Sequence, residues 1–193
     1  MATSQAIQSM QKDTYDASTH ANITLDYAHH ELHDGSMFTA SGVADLASSG
    51  TLVVTFTAPN TARWAHVVPS VVSELETEVK FYEGFVSAGT AGAGTAGTLV
   101  TAYNRNRNST TLPTCTVYTG ATAGTAAPGT IGTALLGTWH WGSGRNVGGG
   151  ERAANEWIAK KGVTSAMEIV NAVGNAANQI NWAFDWYEHT DKE

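Results

Sequence analysis

The sequence predicts an all-β protein, a jelly-roll-like antiparallel β-sandwich with an extended N-terminal arm. Three observations carry that expectation. Apolar side chains alternate at period two in several short segments, no long amphipathic helical pattern competes with them, and long Gly/Ala/Thr-rich stretches separate them. The strongest alternation lies at residues 179–189, QINWAFDWYEH. Ile180, Trp182, Phe184 and Trp186 fall on one face of a strand there, and Asn181, Ala183, Asp185 and Tyr187 on the other. A buried aromatic removes about 150–250 Å² from water, worth roughly 25 cal/mol per Å², so this stripe is the expected spine of the core.

Composition narrows the function classes. The chain has 193 residues, enough for one domain, read as residues 26–193 behind an arm of residues 1–25. Charged residues make up only 14% and the formal net charge is −7, which argues against free nucleic acid as a partner. The single cysteine, Cys115, excludes an internal disulfide; it sits in the strand-like run TCTVY and reads as a small buried side chain. No run of eighteen apolar residues suggests a membrane span, and the first residues lack the basic-then-apolar pattern of a secretory signal. The expectation is a protein made in the cytoplasm, including one destined for a particle assembled there.

Taken in order, residues 1–25 are polar, with Ile7, Met10, Tyr15, Ile23 and Leu25 thinly spaced. Fully extended, such an arm reaches roughly 80 Å, against a radius of gyration of about 15 Å for the remaining domain, so it can lie across a neighbouring subunit. The run DYAHHELHDGS reads as a polar turn punctuated by Asp34-Gly35, one turn of helix being the other possibility. Met37 and Phe38 open a short strand. The run 51–57, TLVVTFT, alternates Leu52, Val54 and Phe56 against Val53 and Thr55. Residues 63–73 form an apolar run whose Pro69 implies an edge or a bulge. In residues 75–83, Leu75, Thr77, Val79 and Phe81 face in and Glu76, Glu78, Lys80 and Tyr82 face out, the pattern of a sheet with one wet face. Low-complexity loops follow at 87–97 and 119–130. Strands are expected over 131–141, at Trp157-Ile158-Ala159 and over 165–172. Gly174-Asn175 turns the last of these into the terminal strand, which reads as a hairpin.

Candidate chemistry is sparse. His29, His30, His33, Glu31 and Asp34 invite a metal reading, but the zinc-protease spacing from His30 needs a second histidine where Asp34 stands. His29 and His33 share only a possible helix face. Glu76 and Glu78 lie on one strand face, as acids on wet strands commonly do, although a glycosidase uses two carboxylates at a comparable separation. Arg105 and Arg107 interleave with Asn104, Asn106 and Asn108 and could grip a phosphate or carboxylate. The plainer reading is a connection whose amides satisfy loop backbone. The loop GSGRNVGGG at 142–150 follows a strand but has neither the dinucleotide spacing nor a Gly-Lys-Ser/Thr ending. No catalytic, cofactor-binding or metal-ligating residue is therefore assigned, and no enzyme activity or cofactor is expected.

Several short runs resemble a group of small virion proteins of tailed bacteriophages. They are Asp26-Tyr27-Ala28-His29-His30-Glu31, Pro59-Asn60-Thr61 with Trp64-Ala65-His66, Tyr82-Glu83-Gly84, Asn106-Arg107-Asn108-Ser109, Gly142-Ser143-Gly144 and Trp186-Tyr187-Glu188-His189-Thr190. The resemblance spans residues 26–190 and implies a structural protein of the particle. The expected type is a capsid decoration or cement protein, a β-sandwich that binds the outer capsid surface as a homotrimer, with the major capsid protein as partner. It implies no catalytic residue and does not cover the loops at 87–97 and 119–130. The alternative is a carbohydrate-binding or tail/adhesion module, with Trp139, Trp141 and Trp157 stacking on sugars.

Overall fold

The computed structural model describes residues 15–16, 21–22, 27–85, 97–121, 133–141, 146–148 and 156–190. Most of the arm at 1–25 and most of the loops at 87–97, 119–130 and 142–150 lie outside the described residues. Within the arm, β1 (Tyr15–Asp16) and β2 (Ala21–Asn22) pair as a two-stranded ladder. Then come a helix, α1 (Tyr27–Asp34), and the strands β3 (Met37–Leu46), β4 (Thr51–Thr57), β5 (Arg63–Ser73) and β6 (Thr77–Glu83). The rest are β7 (Thr98–Val100), β8 (Tyr103–Asn104), β9 (Thr116–Thr119), β10 (Ala134–Trp141), β11 (Asn146–Gly148), β12 (Trp157–Ala159), β13 (Thr164–Asn171) and β14 (Asn178–Thr190).

Two antiparallel sheets form a sandwich. The first has the order β10-β6-β13-β4-β9-β7, and the second β11-β5-β14-β3-β8, with β12 pairing β5 beside β11. The expected stripe is the spine of the core. Ile180, Phe184 and Trp186 have no exposed surface and Trp182 is 3% exposed. They pack with Val54, Phe56, Val79, Phe81, Met167 and Ile169 of the facing sheet, with Leu52 at the margin. Phe56 meets Trp186 edge-on with ring centroids 5.4 Å apart and Phe184 at 5.5 Å, so aromatic contacts bridge the two layers.

Three local expectations change. The strand opened by Met37 and Phe38 runs ten residues, because β14 supplies a partner from Tyr187 to Asn178 along its whole length. Residues 27–34 form a helix instead of a turn. Asp34-Gly35 is its stop: Ser36 N donates to Glu31 O at 3.1 Å and Gly35 N to Leu32 O at 3.3 Å, with Gly35 at φ +77°, the Schellman arrangement. Pro69 causes no bulge; β5 pairs β14 without a break in register. On its other side β11 covers Ser70–Val72 and β12 covers Ala65–Val67, and Pro69 falls in the gap between them, where no ladder needs its missing N–H.

The largest difference is at the C-terminus. β13 and β14 are not a hairpin: β13 pairs β4 and β6 in one sheet, and β14 pairs β3 and β5 in the other. A hairpin would lay the apolar faces of both strands side by side with nothing opposite. The connection between them instead crosses the core, a step of about 10 Å, and sets Met167 and Ile169 against Ile180 and Trp182. Two buried asparagines hold the crossing. Asn171 Nδ2 lies 2.9 Å from both Ala47 O and Ala176 O, and its Oδ1 accepts Val173 N at 3.1 Å. Asn178 accepts Leu75 N at 2.9 Å and donates to Thr77 Oγ1 at 2.9 Å.

The outer face of the first sheet is drier than the alternation implies. Val53 and Ala166 form a second small cluster with Phe85 and Ala121, and Tyr82 is buried. Directly after β9, Gly120 N and Ala121 N both donate to Val53 O, which sets the Ala121 side chain against Val53.

Candidate functional site

Glu188 organises one end of the second sheet. Counting by twos from Trp182 through Phe184 and Trp186, it is the next inward position of β14, so its carboxylate enters the end of the core and its side chain has no exposed surface. A charge there needs donors. Glu188 Oε1 accepts Thr114 N at 2.9 Å, Cys115 N at 3.1 Å and Trp186 Nε1 at 3.0 Å; Oε2 accepts Thr114 Oγ1 at 2.5 Å. Arg63 Nη1 stands 3.8 Å away. One side chain thus fastens the turn before β9 to β14. Burial, reinforced by the Glu188 carboxylate, pushes the Cys115 thiol well above its usual range, so it remains a protonated core group.

The helix stop docks on the same place. Glu188 N donates to Ser36 O at 3.0 Å. Glu31, 3% exposed, accepts the Ser36 hydroxyl through Oε2. Asn104 Nδ2 donates to Gly35 O at 2.7 Å and Asn106 Nδ2 to His33 O at 3.0 Å, while Asn106 N and Asn108 N are taken by the side chains two residues before them. The plainer reading of the Asn/Arg run is the observed one. Its arginines diverge, Arg105 toward Asp185 at 3.6 Å and Arg107 over the Tyr103 ring at 5.5 Å. Gly35 admits the loop closely: a Cβ there would lie 2.3 Å from Ser109 Oγ. Between these groups opens a polar cleft of about 220 Å³, lined among others by Glu31, Asp34, Arg63, Thr111, Glu188 and His189.

On the outer face of the same strand ends, His66 of β5 stacks on Tyr187 of β14, with centroids 4.6 Å apart. Its Nδ1 lies 2.7 Å from Glu156 Oε1, which also accepts the Tyr187 hydroxyl at 2.9 Å, and its Nε2 lies 2.9 Å from His189 Nε2.

The other candidates disperse. His30 Nδ1 is 3.4 Å from Glu31 Oε1 and His33 is exposed; among the described residues no group of three or more His, Cys, Asp or Glu is arranged to hold a metal ion. Glu78 takes the Lys80 ammonium at 2.8 Å, which holds the lysine above its usual range, and Glu76 is exposed ahead of β6. Trp139 and Trp157 are partly buried against the core, and Trp157 Nε1 is buried with no acceptor among the described residues. The side chain of Trp141 lies outside the described residues.

No family model, no curated protein and no solved structure matches the chain. What the fold adds is a meeting place: Glu31, His66, Asn106, Ser109, Tyr187, Glu188 and His189 come from four of the short runs that carry the virion-protein resemblance, and all are found at this one end. Sequence reasoning passed over Glu188, Glu156 and Thr114. The parity of β14 is the signal that marks Glu188, since it sets an acid in line with three aromatics. Nothing in the sequence marks Thr114 or Glu156 as its neighbours' partners.

Proposed function

We propose that the protein is a structural component of a tailed-bacteriophage particle that decorates and cements the outer surface of the capsid, as a homotrimer on the major capsid protein. The observation that carries this reading is the use made of the runs that carry the resemblance. Residues from four of the runs on which the resemblance rests meet at one end of the sandwich, and there they spend their hydrogen bonds on one another and on backbone. Glu188 ties a turn to the sheet, Asn104 and Asn106 tie a loop to the helix stop, and His66 ties two strands to Glu156. Rigid tying of loops at one rim suits a surface that must dock on a lattice with little ordering cost. The acidic, low-charge composition suits the outside of a shell, away from packaged nucleic acid. A protein that binds only the assembled lattice stabilises that lattice by linkage, and many copies on one shell add avidity.

Locating the protein in purified particles tests the reading. Labelling with an antibody to the folded chain should mark the capsid surface at regular positions. Label on the tail alone would favour the adhesion alternative, and absence from the particle would end the proposal.

A further inference from the structure

The His66–His189 contact constrains how many protons the two rings carry. Their Nε2 atoms face one another at 2.9 Å. Two lone pairs, or two N–H groups, repel at that distance; one hydrogen between them makes a bond. The remaining ring nitrogens are directed at acceptors. His66 Nδ1 lies 2.7 Å from Glu156 Oε1, and His189 Nδ1 lies 3.1 Å from the carbonyl oxygen of Thr190. A carbonyl only accepts, and a carboxylate that also receives the Tyr187 hydroxyl does the same, so both Nδ1 atoms donate. With that assignment the four ring nitrogens would hold three hydrogens, one of them between the rings.

We propose that His66 and His189 share one proton and that this cation, facing the Glu156 carboxylate, is a pH-sensitive clamp holding the start of β12 on the β5–β14 ladder. Its position suits the task. His66 is a β5 residue in register with Tyr187 of β14 and Ile158 of β12, while Glu156 immediately precedes β12. Among the described residues, the charged and titratable groups around it include Glu156 at the head of β12, Tyr187 stacked on His66, and Lys161, which lies 4.1 Å over the ring of Trp64, the residue in register with His189. Arg63 and Glu188 pair on the inner side of the same strand ends.

The proton count gives the sign. Losing the shared proton leaves one of the three bonds without its hydrogen. Gaining a fourth sets two N–H groups of like-charged rings against each other. The folded pair resists that fourth proton and the unfolded chain does not, so acid favours opening.

The test uses the full chain labelled with ¹⁵N. At about pH 7 the imidazole spectrum should show three protonated nitrogens among the four of His66 and His189. Amide exchange of Trp157, Ile158 and Ala159, corrected for the intrinsic pH dependence, should speed up by roughly tenfold or more between about pH 7 and pH 5. In His189→Gln, which cannot form the dication, the corrected exchange should stay flat over the same range. Two or four protonated nitrogens, a spectrum altered by EDTA (which would assign a metal ion in place of the proton), or equal pH dependence in both proteins would overturn the proposal.

Discussion

At the scale of single residues, the molecule depends on acids placed where water cannot reach them. Glu188 has four donors within 3.1 Å, and replacing one of its oxygens by an NH₂ group sets a donor against donors. Glu188→Gln should cost about 2–3 kcal/mol in urea unfolding, the range for hydrogen bonds to a charged group. Arg63, 41% exposed and 3.8 Å away, should matter less: Arg63→Met should cost no more than about 1 kcal/mol. Glu168 is the opposite case. Partial burial pushes its carboxyl above the usual range, against the pull of Lys80 and the Tyr82 hydroxyl. The folded chain therefore holds that proton more tightly than the unfolded one, and its ionisation costs stability as pH rises past the ordinary carboxylate range. Glu168→Gln should raise the thermal midpoint at neutral pH, and the gain should fade on acidification. A gain that grows with acid would reverse the assigned sign. Glu188 was readable by parity along β14, but its donors were not, since Thr114 and Cys115 reach it from 74 and 73 residues away.

At the scale of elements, β14 decides the fold. It is the central strand of its sheet, and its inner face closes the core. Trp182→Ala should cost about 3–5 kcal/mol, the range for emptying a large aromatic site. A loss below about 1 kcal/mol would contradict the core assignment. The stripe itself was legible because period two is local. The arch before it was not: Gly174-Asn175 has the composition of a hairpin turn, and only the need to cover two apolar faces sends the chain across the core. Asn171→Ala should test that arch, costing about 1–3 kcal/mol through three carbonyls left without their shared donor. The helix at 27–34 is legible only as one of two possibilities, because its eight residues carry no strong apolar periodicity and its stability comes from the Schellman stop and the loop that Asn104 and Asn106 fasten to it. Gly35→Ala should loosen this end, since it meets both a positive φ and Ser109; the measurable sign is a protein destabilised by at least about 1–2 kcal/mol.

At the scale of the whole molecule, two sheets close the core, and one rim gathers residues from four of the runs on which the virion-protein resemblance rests. In the proposed role this sandwich binds the outside of a capsid and strengthens it. The direct measurement is to add the purified protein to shells that lack it and to follow both occupancy and the temperature at which the particle releases DNA. Saturable binding at regular sites on the expanded shell, with release moved to higher temperature, is the expected result. A protein that leaves the shells bare at saturating concentration, or fills them without changing the release temperature, would contradict the account.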